Sequence, residues 1–145
     1  MPKLIFILNG PNLNLLGQRE PEIYGRDTLD DIRLACEQRA KALNLTIDFR
    51  QSNREHDLVD WIQEARARAH GLIVNAAAYS HTSLAILDAL QTYPKPAIEV
   101  HLSNIFRREE FRRHSYVSLG VHGVICGLGG KGYLLALDAL AGLVE

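Results

Sequence analysis

A chain of 145 residues with 47% hydrophobic side chains can bury one substantial core, so a single catalytic-sized domain over 1–145 is expected and no second one is needed. The formal net charge of -1 argues against a general polyanion binder, because counterion release from a phosphate backbone needs many unopposed Lys and Arg, and no nucleic acid partner is expected. No apolar run reaches bilayer-spanning length, and the apolar start Leu4 to Leu8 meets Asn9-Gly10-Pro11 too soon for a signal peptide, which reads as a cytoplasmic protein with no membrane partner.

The first strand runs from Lys3 to Asn9 and ends in Asn9-Gly10-Pro11-Asn12-Leu13-Asn14-Leu15-Leu16-Gly17. The connection that follows is far longer than a strand-to-helix loop requires, and long loops in compact domains are disproportionately functional. It holds Arg19, Glu20, Pro21, Tyr24 and Gly25: a cation five residues before a phenol, with Gly17 and Gly25 placed as hinges of a lid. A surface loop pinned by an aromatic is the plainer account, and the spacing does not choose between them.

Asp27 or Thr28 can cap a helix running to about Leu43, with Ile32, Cys36 and Ala40 on one stripe. A strand over Thr46 to Gln51 follows, then a helix marked by Leu58, Ile62 and Ala65, then a strand over Gly71 to Asn75. That strand leads through Asn75-Ala76-Ala77-Ala78-Tyr79-Ser80-His81-Thr82-Ser83 into a helix carrying Leu84, Leu87 and Leu90, which Tyr93-Pro94 stops. Ser80, Thr82 or Ser83 can cap it, and a lone His81 there is more often a surface residue than a catalytic one. Asn75 at the strand tip is harder to explain as structure alone.

Ala97-Ile98-Glu99-Val100-His101-Leu102-Ser103 is the most informative run, because Glu99 and His101, two apart, share one face of a strand expected to be buried. A buried carboxylate requires a partner, and Glu99 can orient His101 and favour the protonated imidazole that a general acid needs. The alternative is a solvated edge strand with a local ion pair. In Arg107-Arg108-Glu109-Glu110-Phe111-Arg112-Arg113, Glu109 faces Arg112 and Arg113 at helical spacing, so a solvated ion-paired turn competes with anion binding.

The last strand spans Gly123 to Cys126 and the last helix Tyr133 to Val144. Between them Gly127, Gly129 and Gly132 satisfy the dinucleotide spacing, but no further strand follows to supply a ribose-binding acid, and Lys131 lacks the Walker A context. A tight turn opening the last helix is the preferred reading. His81, His101 and Glu99 lack a recognised metal-ligand spacing, so no metal is expected, and the two cysteines, Cys36 and Cys126, read as buried or half-buried thiols. The alternation of five strands with helices predicts an α/β, flavodoxin-like doubly wound five-stranded parallel sheet, with ligands beyond the carboxyl ends of the strands.

Taken together, Asn9-Gly10-Pro11-Asn12-Leu13-Asn14, Arg19 to Tyr24-Gly25, Asn75 to His81-Thr82-Ser83, Glu99-Val100-His101-Leu102-Ser103-Asn104 and Arg108-Glu109-Glu110-Phe111-Arg112 strongly resemble the type II 3-dehydroquinate dehydratases, in order and along essentially the whole chain. The resemblance implies a cofactor-free hydro-lyase that takes 3-dehydroquinate to 3-dehydroshikimate through an enolate, in the shikimate pathway of aromatic amino acid biosynthesis or in quinate breakdown. It implies a homododecamer, a tetramer of trimers. By the same resemblance Tyr24 takes the proton beside the ketone with help from Arg19, His101 protonates the departing hydroxyl, and Asn12 belongs to the enolate. Asn75, His81, Asp88, Arg112 and the Leu102-Ser103 backbone match substrate-binding positions, with Asp88 reaching a neighbouring subunit. Arg108 belongs to the pattern without an assigned contact.

The chemistry agrees with these roles, since a free tyrosine, with a pKa of about 10, is a poor base at neutral pH unless a cation stabilises the phenolate. One departure stands out: Asn75-Ala76-Ala77-Ala78-Tyr79 replaces the usual Asn-Pro-Gly-Ala-Tyr, and Ala77 adopts positive φ less readily than Gly. Competing readings are a non-enzymatic flavodoxin-like module binding a nucleotide or flavin, and a Schiff-base dehydratase using a lysine. Of Lys3, Lys41, Lys95 and Lys131, only Lys131 lies near a polar turn.

Overall fold

The structure is a computed structural model describing residues 1–18 and 20–144, and its five strands form one parallel sheet in the order β2-β1-β3-β4-β5. The strands are β1 (Lys3–Asn9), β2 (Leu45–Gln51), β3 (Gly71–Asn75), β4 (Ala97–His101) and β5 (Gly123–Cys126). The helices are α1 (Pro21–Tyr24), α2 (Leu29–Ala42), α3 (Glu55–Arg68), α4 (Leu84–Gln91) and α5 (Lys131–Leu143).

Alternation along β1 explains the two layers. Ile5 and Ile7 join Ile73, Ile98 and Val100 under α2 and α5, whereas Phe6 and Leu8 join Leu72 and Val74 under α3 and α4. Helices on both faces of this strand order make the expected doubly wound, flavodoxin-like sheet, whose switch point lies between β1 and β3.

Most element bounds agree with the periodicity, and the differences have local causes. Thr28, not Asp27, caps α2, because its hydroxyl accepts from the Asp31 N–H at 3.1 Å while Asp31 accepts from the Thr28 N–H at 3.0 Å. Ser83 caps α4, its Oγ accepting from the Ile86 N–H at 3.0 Å. Helix α5 starts at Lys131, two residues before the expected Tyr133, since the chain already turns helical at Gly130. The single turn α1 lies inside the long first connection, too short to show a period but opened by Pro21 at its first position.

Close approach of the β1 and β3 ends requires Gly10, where a Cβ would lie 2.4 Å from the Ala76 carbonyl oxygen. The glycine turn before α5 is likewise structural, since Gly127 has φ +89° and packs on Asn104. Among the described residues no helix is long and apolar enough to cross a membrane.

Candidate active site

A cleft of about 600 Å³, open to solvent, lies at the carboxyl ends of the strands. Asn12, Tyr24, Asn75 and His81 line it, and so do His101, Leu102, Ser103 and Arg112. Glu99 sits behind His101 and out of the cleft. Asp88 is exposed on α4 and does not line the cleft. Arg19 lies outside the described residues.

Strand β4 lies between β3 and β5, which rules out the solvated edge strand. Glu99 is 0% and His101 4% exposed, and the period-two geometry of the strand brings His101 Nε2 onto a Glu99 oxygen in a short hydrogen bond. The same oxygen accepts from Ser115 Oγ at 2.6 Å, and the other accepts a short hydrogen bond from Ser118 Oγ. Burial by itself pushes the Glu99 carboxyl up. The hydrogen bond and charge of His101, with the two serine hydroxyls, outweigh it and hold the group below the ordinary carboxylate range. With Nε2 engaged, Nδ1 is the ring nitrogen available to the cleft.

Tyr24 ends α1, and its position follows from that turn: the Tyr24 N–H donates to the Glu20 carbonyl at 3.1 Å and the Gly25 N–H to the Pro21 carbonyl at 2.8 Å. Arg108, which the sequence reading left without a contact, donates from Nη1 to the Tyr24 hydroxyl at 2.9 Å with its guanidinium carbon 5.2 Å from the ring centroid. Arg108 also lines the cleft. The guanidinium thus places a cationic donor on the phenol oxygen at the rim of the cleft.

Asn75 is held by a buried chain of hydrogen bonds. Asn9 Nδ2 donates to the Arg50 carbonyl at 2.9 Å, Tyr133 Oη donates to Asn9 Oδ1 at 2.6 Å, and Asn75 Nδ2 donates to Tyr133 Oη at 2.9 Å. Asn75 Oδ1 accepts from the Ala77 N–H at 3.1 Å. Burial, the largest influence, pushes the Tyr133 phenol well up, so it keeps the proton this chain uses. Ala77 does take the left-handed region, at φ 52°, where a Cβ is strained by about 1–2 kcal/mol. Glycine relieves that strain and gives part of it back as unfolded-chain entropy. Ala77→Gly is therefore expected to stabilise the fold by about 0.5–1 kcal/mol, read from denaturant midpoints at constant slope, and an unchanged midpoint would mean that Ala77 carries no strain.

His81 is not the bland surface residue of the alternative reading. Its Nδ1 donates to the His114 carbonyl at 2.6 Å, a role that assigns the proton to Nδ1, and its ring stacks on His101 with centroids 6.3 Å apart. Desolvation, joined by the charges of His101, Arg112 and His114, holds His81 below the usual imidazole range against the opposing bond to His114, so Nε2 is left as an acceptor. Arg112 lines the cleft while its Nε donates to Glu109 at 3.3 Å, so the ion-paired turn and the cleft position coexist. Arg113 instead donates to the Arg108 carbonyl at 2.9 Å. Leu102 gives its carbonyl to the Gly129 N–H at 3.0 Å, which turns the trans-related Ser103 N–H the other way. Asn12 takes φ 68°, a conformation asparagine tolerates, and its N–H is held by Asn53 Oδ1 at 2.9 Å.

Sequence reasoning passed over Ser115, Ser118 and Tyr133, and gave Arg108 no partner. Only the tip of β1 carried a signal, since Asn9 stands opposite Asn75 in the β1–β3 register. No three His, Cys, Asp or Glu side chains group to hold a metal ion among the described residues. Lys131, exposed at the start of α5, does not line the cleft.

Comparison with known proteins places the cleft in context. The family model described as dehydroquinase class II matches residues 3–141. The 3-dehydroquinate dehydratase of Streptomyces avermitilis is 61% identical over 142 residues, covering 97% of this chain and 89% of that protein. The 3-dehydroquinate dehydratase of Caulobacter sp. strain K31 is 58% identical over 144 residues, covering 99% and 98%. The crystal structure of type II dehydroquinase from Propionibacterium acnes superposes with a TM-score of 0.94 at 49% identity, covering 98% of each chain.

Proposed function

Since the chain belongs to the dehydroquinase class II family, we propose that it removes water from 3-dehydroquinate to give 3-dehydroshikimate, as a hydro-lyase acting through an enolate. The carrying observation is that one cleft holds a phenol on a cationic donor and an imidazole on a buried carboxylate. A β-hydroxy ketone needs that pair: a base for the acidified C–H and an acid for the poor leaving group.

Tyr24, as phenolate, takes the proton next to the ketone, and the C–H electron pair moves into an enolate. Asn12 faces the enolate oxygen. His101 then gives a proton to the departing hydroxyl, the C–O bond breaks, and the enolate collapses to the conjugated enone with release of water. Arg108 and Arg19 carry the phenolate charge, and Glu99 keeps His101 oriented. Asn75, His81, Arg112 and the Leu102-Ser103 backbone hold the ring substituents. Neither step calls for a metal, an organic cofactor or a lysine imine.

On this reading residues 1–145 act as one catalytic unit in the cytoplasm, in aromatic amino acid biosynthesis, with quinate breakdown as the other pathway. An ultraviolet assay for the enone tests the reaction: a rise in absorbance on adding 3-dehydroquinate is expected, and no rise with folded protein removes the reading.

The proposal extends to assembly as a homododecamer of four trimers. Leu84 and Asp88, four apart on α4, share one exposed face, and Leu119, Phe111 and Phe106 are also exposed. Asp88 would then reach the Arg112 region of a neighbouring subunit. Asp88→Ala is expected to raise KM several-fold, and an interface variant that yields monomers by light scattering is expected to lose activity in parallel. Fully active monomers, or an Asp88→Ala with unchanged KM, return Asp88 to the solvated surface.

A further inference from the structure

The acid half of the cleft is built from more than β4. Ser115 and Ser118 belong to the irregular stretch between β4 and β5, and Ser118 lies in the turn Val117–Gly120. That stretch is fixed in three places to the turn Ala77–His81 that follows β3: the His114 carbonyl accepts from His81 Nδ1, the His114 ring bonds the His81 carbonyl at 2.8 Å, and the Tyr116 N–H donates to the Ser80 carbonyl at 2.8 Å. Val117, between the two serines, is fully buried. The two hydroxyls therefore arrive at Glu99 on a rigid support.

Resting on the dehydratase reading, we propose that Ser115 and Ser118 are positioning residues that clamp both oxygens of the Glu99 carboxylate and so fix the His101 ring that protonates the leaving group. Three donors meet this buried group: His101 Nε2–H on Oε2, Ser115 on Oε2 and Ser118 on Oε1. A carboxylate satisfies all three, whereas a carboxylic acid would have to turn one donor away. Among the described residues, His101 is the only group that forms an ion pair with Glu99. The strand neighbours opposite it are Val74 and Val124, while His81 stacks on His101, His114 contacts His81 and Tyr116, and the charge of Arg112 acts on His81. Removing a hydroxyl leaves burial, which pushes the carboxyl up, less opposed. Glu99 then takes a proton at a higher pH and ceases to hold the imidazole in its working state.

The experiment is the pH dependence of kcat for Ser115→Ala, Ser118→Ala and the double variant. The acid limb is expected to move up by about one pH unit per hydroxyl removed, with KM changed less than about threefold. Ser115→Thr and Ser118→Thr, which keep the hydroxyl, are expected to return the limb toward the parent position. A uniform fall in kcat with the limb in place overturns the proposal, as does an unaltered profile. An infrared titration of the carboxyl band that Glu99→Gln deletes reads the same ionisation without turnover. In the parent protein that band is expected to titrate below the ordinary carboxyl range, and a value at or above that range overturns the proposal even if the alanine variants fail to fold. The infrared readout also separates failure of the clamp from failure of the dehydratase reading, which the enone assay tests by itself.

Discussion

Tyr24→Phe is expected to lower kcat by at least about 100-fold, within the 10²–10⁴ that a positioned base supplies, while the fold survives. The change deletes one oxygen and keeps the ring, so the Arg108 guanidinium retains its place 5.2 Å from the ring centroid while the 2.9 Å hydrogen bond to the hydroxyl is lost. Tyr24 is half-buried at the rim of the α2–α5 core, and its aromatic packing persists in Phe. KM is expected to stay within about threefold, because the phenol acts on the proton in flight more than on the bound ground state. Steady-state kinetics beside near-ultraviolet circular dichroism decide the matter: a correctly folded Phe variant with near-parent kcat moves the base to another group.

Replacement of His101 comes next in size, and its expected effect has two parts. His101→Ala removes the proposed acid, a loss of about 10²–10⁴ in kcat, and it also leaves the wholly buried Glu99 with Ser115 and Ser118 as its hydrogen-bond partners among the described residues. Breaking a buried ion pair from one side destabilises by about 3–5 kcal/mol, so an inactive Ala variant alone is ambiguous. His101→Asn keeps an N–H donor for the carboxylate and separates the two parts: kcat is expected to fall as in Ala, with a smaller loss of stability. A defect confined to KM would make His101 a ligand and not the acid. The acid side of the stability profile carries a further mark. Glu99 lies below its ordinary value in the folded protein, so its contribution is present above about pH 4.3 and is lost as the pH falls through the lower folded value. Glu99→Gln is expected to remove that dependence, and an acid melting profile identical to the parent's would contradict it.

The sheet and the four longer helices were legible because each obeys a period, and strands such as Ala97–His101 are fully buried runs between turn residues. Glu99 and His101 were legible for the same reason, since a polar pair two apart in a buried run has few structural excuses. Arg108 was not. Its partner Tyr24 lies 84 positions away, and no local pattern joins them. The Tyr133 to Asn9 bond spans 124 positions, and Tyr133 reads on its own as a core aromatic of α5. Ser115 and Ser118 sit in a stretch without a period, where serines are common and carry no signal until the fold sets them against Glu99. Ala77 was visible as a departure, but its positive φ is a property of the backbone path between β3 and α4 and not of the residue.

The bonds running from the Arg50 carbonyl through Asn9 and Tyr133 to Asn75 have one sense only, because the first acceptor is a carbonyl and cannot be reversed. An asparagine amide facing a cleft by itself can flip, and if both orientations were equally populated only half the molecules would be ready for a ligand, a factor of about two in apparent affinity. Here a flip would set the Asn75 oxygen against a Tyr133 oxygen whose hydrogen is already given to Asn9. The orientation is set by a helix none of whose residues lines the cleft: α5, remote in sequence from Asn75, fixes the side chain through the single hydroxyl of Tyr133.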